Sequence, residues 1–196
     1  VTIRYRITKI SGQDDPQSPV SLATIKAHLR IDNDLEDDLL RSYMESAVDA
    51  IEQVTRRAVA SRAYLIQYEQ WPVTQFLLPL GNISAVTSVE YKDLAGVTQT
   101  WASANYQTEL NSDHAARVAP LPRESWPSLG SNYLGAISIT VVAGYTEDTL
   151  PYSIRQAILM KVASLNEHRG PMDPKEDSIN MAIESLLAPY ALPFWS

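Results

Sequence analysis

A chain of 196 residues, 45% hydrophobic and 20% charged, is long enough to bury a core of its own and has the balance of a globular protein. Its net charge of −7 argues against a general nucleic-acid binder, which neutralises phosphates with clustered Lys and Arg; here no basic run exceeds the Arg56–Arg57 pair. The lack of cysteine excludes disulfides, thiolate zinc sites and cysteine nucleophiles, and no apolar run approaches the roughly 18 residues of a membrane span.

Residues 1–10 set Ile3, Tyr5 and Ile7 against Arg4, Arg6 and Thr8, an alternation that predicts a strand at a sheet edge. The stretch also carries Lys9 and lacks the apolar core of a signal peptide. Residues 11–19, with Pro16 and Pro19, read as polar loop. Ser21 is a candidate N-cap for a short helix over 22–30, with Leu22, Ile25, Ala27 and Leu29 apolar.

The strongest signal lies in 32–58. After Asp32, Asp34, Glu36, Asp37 and Asp38, apolar residues recur at steps of three and four: Leu35, Leu39, Leu40, Tyr43, Met44, Ala47, Val48, Ile51, Val54 and Ala58. The spacing predicts a long helix over 35–57 whose apolar stripe fills roughly half the circumference. Arg41, Glu45, Asp49, Glu52 and Arg56 fall on the opposite side, with Glu52 and Arg56 spaced as an i,i+4 pair. A stripe this wide predicts contact with both its own domain and a neighbouring copy, with Met44, Val48 and Ile51 as the candidate subunit interface.

From residue 62 the pattern changes to strands, expected over 64–68, 76–78, 83–91 and 97–101. The last two flank Lys92-Asp93-Leu94-Ala95-Gly96, a turn of hairpin length. A weaker pair, 106–110 and 116–119, spans Asn111-Ser112-Asp113. Residues 120–135 hold three prolines and two glycines and read as loop. A strand over 137–143 ends at Ala143-Gly144-Tyr145. Pro151 opens a helix marked by Ile154, Ala157, Ile158, Val162 and Leu165 through about His168, where Gly170-Pro171 stop it. A polar connection over 172–177 leads to a short helix carrying Ile179, Ala182, Ile183, Leu186 and Leu187. The order predicts an α+β fold: a mainly helical bundle built on the long helix, with a β-rich insertion over about 62–143 and C-terminal helices. It divides into an N-terminal extension (1–19), a main domain (20–170, with the β insertion at 62–145) and a C-terminal arm (171–196).

The sequence offers little catalytic chemistry. Counted from Asp32 as an EF-hand loop, the sixth and twelfth positions hold Asp37 and Tyr43 where glycine and glutamate are required, so the acids read as N-capping and dipole compensation of the long helix. His28, His114 and His168 lie far apart, none with a second ligand nearby. No P-loop, G-x-G-x-x-G or G-x-S-x-G is present. Four Trp and ten Tyr, without a basic groove, read as packing rather than base stacking. No catalytic residue, cofactor or metal is expected.

Several segments together resemble the head–tail connector (adaptor) proteins of tailed bacteriophages. They are Val20-Ser21-Leu22, Ala27-His28-Leu29-Arg30-Ile31-Asp32, the acidic turn, Thr55-Arg56-Arg57-Ala58, Leu78-Pro79-Leu80, and Val86-Thr87-Ser88-Val89-Glu90-Tyr91 with Asp93 and Gly96. Tyr106, Trp126-Pro127, Ala143-Gly144-Tyr145, Pro151 and Glu167-His168-Arg169 complete the set, which spans about 18–170. The resemblance implies a non-enzymatic virion protein of the neck, assembled in the host cytoplasm. It implies a ring of about twelve copies below the portal that continues the DNA channel and docks a stopper or tail-completion protein. DNA would pass without specific binding, and acidic walls suit such a conduit. Alternatives are another neck protein, a stopper or tail terminator, or a small-ligand binder or enzyme with its site in the β insertion. In the connector reading the C-terminal arm grips the portal, through Ile183, Leu187, Tyr190, Phe194 and Trp195, because a marginal amphipathic helix and an aromatic tail need a partner.

Overall fold

The computed structural model describes residues 4–10, 19–110, 115–167 and 176–192. All but Pro19 of the loop expected at 11–19, the turn at 111–113, His114, the stretch His168 to Lys175 with its Gly-Pro stop, and Phe194 and Trp195 lie outside the described residues.

The chain runs β1 (Tyr5–Lys9), α1 (Leu22–Leu29), α2 (Asp37–Thr55), β2 (Arg62–Tyr68), β3 (Phe76–Leu77), β4 (Ile83–Lys92), β5 (Thr98–Thr100), β6 (Tyr106–Glu109), β7 (Arg117–Pro120), β8 (Ile137–Ala143), α3 (Tyr152–Glu167) and α4 (Glu176–Leu187). It is an α+β fold with two antiparallel sheets, ordered β1-β2-β8-β4-β5 and β3-β7-β6.

Local chemistry sets the helix ends. The Ser21 hydroxyl accepts the Thr24 N–H at 3.4 Å to start α1, and Arg30 closes it with φ 57°, its N–H reaching Ala27 O at 3.3 Å. Glu36 stands at the N-cap of α2 without a side-chain cap bond, so the acidic turn does not cap as expected. Asp37 and Asp38 lie in the helix's positive first turn, and Lys26 of α1 binds both Asp34 and, at 2.9 Å, Asp37.

The α2 stripe is narrower than its sequence suggests. Leu40, Met44, Ala47, Val48, Ile51 and Thr55 are buried. Leu35 precedes the helix and is 91% exposed, and Val54 is 53% exposed. At the other end Thr55 turns its hydroxyl back to Ile51 O at 2.7 Å, and Arg56 leaves the helix at φ 56°. The helix therefore spans 37–55, not 35–57.

Two cores result. The helical one joins Ile25, Leu40, Val48 and Ile51 to Ile154, Ile158 and Val162 of α3 and to Ile183 and Leu187 of α4. The β core joins Tyr64, Ile66 and Tyr68 of β2 to Ile137, Ile139 and Val141 of β8, with Phe76, Val89, Trp101 and Val118 around them. They meet where α2 passes into β2 and β8 into the turn before α3. There Tyr145 N–H donates to Val59 O at 2.9 Å. Gly144 is required at that crossing: its φ is 120°, and a Cβ would lie 2.2 Å from Ala60 O.

Candidate interaction surfaces

The last turn of α2 organises the first surface. Within β1, Tyr5 and Ile7 alternate onto one face, and the next residue in that phase is Lys9. Its ammonium meets Asp49 at 2.7 Å and Glu52 at 3.1 Å. Glu52 is more than a solvent-facing charge. Its Oε1 accepts the Val59 N–H at 2.8 Å, and the Ala60 N–H and Tyr64 hydroxyl each at 3.4 Å. One carboxylate thus ties the helix to β1, to β2 and to the connection from α2 into β2. Burial works against the charge on Lys9, but the bonds to Asp49 and the charge of Glu52 prevail and raise its pKa. Burial, and then the charge of Glu52, push the Tyr64 hydroxyl far above its ordinary value.

Arg57, 6% exposed, donates Nε–H to Tyr190 O at 2.6 Å, and Leu192 N–H reaches Thr55 O at 3.0 Å. Tyr190 and Leu192, which follow α4, therefore lie on the C-terminal end of α2. Between this end and the inner face of β1–β2 opens a groove of about 540 Å³, with Ile7, Arg56, Tyr64, Pro79 and Leu80 among its walls.

The second surface is the acidic turn, where Asp32, Asp34 and Asp38 are exposed around Leu35. Lys26 binds Asp34 there and lowers its pKa. In the β insertion, the interior expected by the ligand-site alternative is filled by rings. Trp71 stacks on Trp126 with centroids 4.7 Å apart and 10° between planes, and Trp101 lies 5.1 Å from Trp126. Among the described residues no group of three or more His, Asp or Glu side chains could hold a metal.

The candidate interface residues fall inside the chain's own core. Met44, Val48 and Ile51 are buried against α3 and its neighbours, as are Ile183 and Leu187 of α4. Tyr190 is half-buried against the same cluster. These side chains hold the chain together because α4 completes the bundle that α2 and α3 leave open. Reading the sequence missed the Glu52 centre, but a signal was present. A lysine in the apolar phase of a strand needs an acid opposite, and Asp49 and Glu52 share one helix face.

Residues 19–112, just under half of the chain, match the family model described as phage gp6-like head-tail connector protein. The resemblance carried by scattered segments is thus also found by a model of the family. Compared by sequence with curated proteins, the chain has no match. By fold it is similar along almost its whole length to a chain from the neck of an empty GTA particle computed with C6 symmetry. That chain has a TM-score of 0.78 and 22% identity, with 97% of both chains covered. A chain from the neck of the native GTA particle computed with C12 symmetry gives 0.76 and 21%, again with 97% of each covered. One from the virion of a native gene transfer agent particle gives 0.78 and 22% over the same share.

Proposed function

We propose that this protein is a structural, non-catalytic head–tail connector of a phage-like particle. It sits in the neck as a ring of about twelve copies below the portal, extends the DNA channel and docks a stopper or tail-completion protein. The observation that carries the reading is the meeting of two likenesses. The connector family's model matches 19–112, and the fold follows neck chains over 97% of their length and its own. The adaptor is favoured over a stopper or terminator by the four-helix half, since a mainly β chain is the expectation for those neighbours.

A ring contact through α2 would have to use what the core leaves outside. We place it at Leu35 and Val54, which flank the buried stripe of Met44, Val48 and Ile51. Leu35→Ser should change fold stability by no more than about 0.5 kcal/mol while weakening rings. Complete rings at wild-type protein concentration would remove Leu35 from the interface, and the same result with Val54→Ser would remove α2. The excess acids would line the lumen, where they keep a phosphate backbone from sticking.

The portal contact is assigned to the C-terminal end. Ile183 and Leu187 anchor α4 to the bundle, so the groups left to reach a portal are exposed Met181 and the aromatics Phe194 and Trp195. Cutting at 175 would strip Ile183 and Leu187 from the helical core and so destabilise the whole chain. Phe194→Ala with Trp195→Ala is the cleaner variant, expected to keep the helical signal and lose portal attachment. Electron microscopy of the protein mixed with its portal tests the whole reading. Twelvefold rings on the portal are expected, and a chain found only at the distal end of the neck would overturn the adaptor role.

A further inference from the structure

Two exposed patches of opposite charge sit at opposite ends of α2. At its N-terminal end the turn over 32–38 holds five acids against two cations, Lys26 and Arg41, which pair with Asp34, Asp37 and Asp38. Leu35 projects from this turn 91% exposed, its N–H held by Asn33 Oδ1 at 3.1 Å. Near the other end β1 is tied to Asp49 and Glu52 through Lys9. Arg4 and Arg6 are exposed there, and neither forms an ion pair among the described residues. The 19 residues of α2 span about 28 Å, so one copy can offer each patch to a different neighbour.

The β1 edge is suited to receive acids. Ile10 N–H donates to Ala63 O at 3.1 Å, and the antiparallel ladder alternates, so the N–H groups of Tyr5, Ile7 and Lys9 point away from β2. Among the described residues no strand lies on that side. A carboxylate approaching the edge meets these donors together with the Arg4 and Arg6 guanidiniums. The Tyr5 ring, 55% exposed, offers Leu35 an apolar contact. Either patch repels its own like, which leaves the pairing of one with the other.

We propose that the acidic, Leu35-tipped turn of one copy docks on the β1 edge of the next, head to tail. Contacts of this kind close into rings when the rotation permits. The contact deepens the ring proposed above and rests on that reading, and it names the seat that Leu35 finds on the neighbouring copy.

The protein has no cysteine, so introduced cysteines report the contact without background. Leu35→Cys is mixed with isotope-labelled Thr8→Cys, exposed in β1 on the face that carries Arg6, and mildly oxidised. Mass spectrometry should find this mixed disulfide forming about tenfold faster than either like pair. Leu94→Cys, exposed between β4 and β5, should link to Leu35→Cys no faster than the like pairs do. Chains carrying both Leu35→Cys and Thr8→Cys should join into species of three copies and more. Equal rates, faster like pairs, or linking that stops at two copies would overturn the proposal. Charge supplies a second measurement on the same cysteines. Arg4→Glu with Arg6→Glu, or Asp32→Lys with Asp38→Lys, gives a chain both of whose patches have one sign and should slow the link about tenfold. Mixing the two charge variants sets opposite signs together again and should restore it; a mixture as slow as its components would overturn the proposal. Circular dichroism checks each fold, and Arg6→Glu and Asp32→Lys alone replace any pair that disturbs it, with the same outcomes. Twelvefold rings on the portal with equal link rates would remove this contact and leave the connector reading. A fast mixed link in a chain absent from the neck would do the reverse.

Discussion

The helical half and the β half fill their interiors with different side chains. Between α2, α3 and α4 the buried groups are almost all aliphatic: Leu40, Val48, Ile51, Ile154, Ile158, Val162, Ile183 and Leu187. In the β half the same task falls to Tyr64, Tyr68, Phe76, Trp101 and Tyr106, with Trp71, Tyr91 and Trp126 packed against them. The reason is architectural. Helices offer regular ridges and grooves that branched aliphatics mesh into. The β half is walled partly by long connections, and flat rings can close the gaps between them. Trp71 and Trp126 both stand in such connections, and Trp71 donates Nε1–H to Pro127 O at 2.9 Å, so each loop pins the other.

The sharpest test of this contrast asks whether two differently built cores melt as one. Phe76→Ala should cost about 3–5 kcal/mol and Ile51→Ala about 2–5 kcal/mol. In urea, tryptophan fluorescence follows mainly the β half and far-ultraviolet circular dichroism mainly the helices. Because Glu52 and the Val59–Tyr145 crossing join the halves, each variant should move both signals to the same new midpoint. A fluorescence midpoint left unchanged by Ile51→Ala would mean two independent units.

Removing the joint should do less. Glu52→Ala leaves the Val59 and Ala60 N–H groups without their acceptor and should cost about 1–3 kcal/mol. The expected sign of a joint is a broader transition with a lowered m-value; a lower midpoint at unchanged m would make Glu52 an ordinary contributor.

The smallest effect is in alkali and falls on the β half. Burial raises the Tyr64 and Tyr68 hydroxyls far above the ordinary 10.0. In the unfolded chain they release protons near that value, while the folded chain keeps them. The unfolded state then binds fewer protons, and stability falls as pH rises above 10. Lys9 acts in the same direction. Its pKa is raised above 10.5, so its contribution is complete below that pH and is lost as pH rises through the folded value. Stability should therefore be insensitive to these groups below about pH 9. Above it, the tyrosinate absorbance of Tyr64 and Tyr68 should rise together with loss of structure. Tyr64 and Tyr68, followed as the absorbance lost on Tyr64→Phe and Tyr68→Phe, would contradict the burial of β2 if they titrated at the ordinary value in a protein still folded.

How far the fold was readable follows from these packings. The helices were legible because aliphatic residues at a regular step announce a face, and Ile154, Ile158 and Val162 do so without ambiguity. The ends of α2 were not. Leu35 and Val54 keep the helical step yet lie outside the core, since periodicity counts residues and not how much neighbour is available to cover them. Most strands were legible from their alternation and turns. The pairing of β8 between β2 and β4 was not, because register joins β8 to residues 69–81 positions away in β2 and 46–60 away in β4, which no local pattern links. The groove was hidden for the same reason: β1, the end of α2 and Leu80 meet only after folding.

The two margins of the large sheet are guarded in different ways. β5 has only three residues, too short a template for another strand to pair along. β1 is longer and has no strand on its outer side among the described residues, but Arg6 within it and Arg4 just before it are exposed. Cations along a free margin repel an identical margin, so copies brought close together are kept from zipping sheet to sheet into fibres. In the proposed ring, with many copies crowded around one axis, that protection would matter more than in a solitary chain. Neutralising Arg4 and Arg6 would leave each copy folded and make the crowd insoluble.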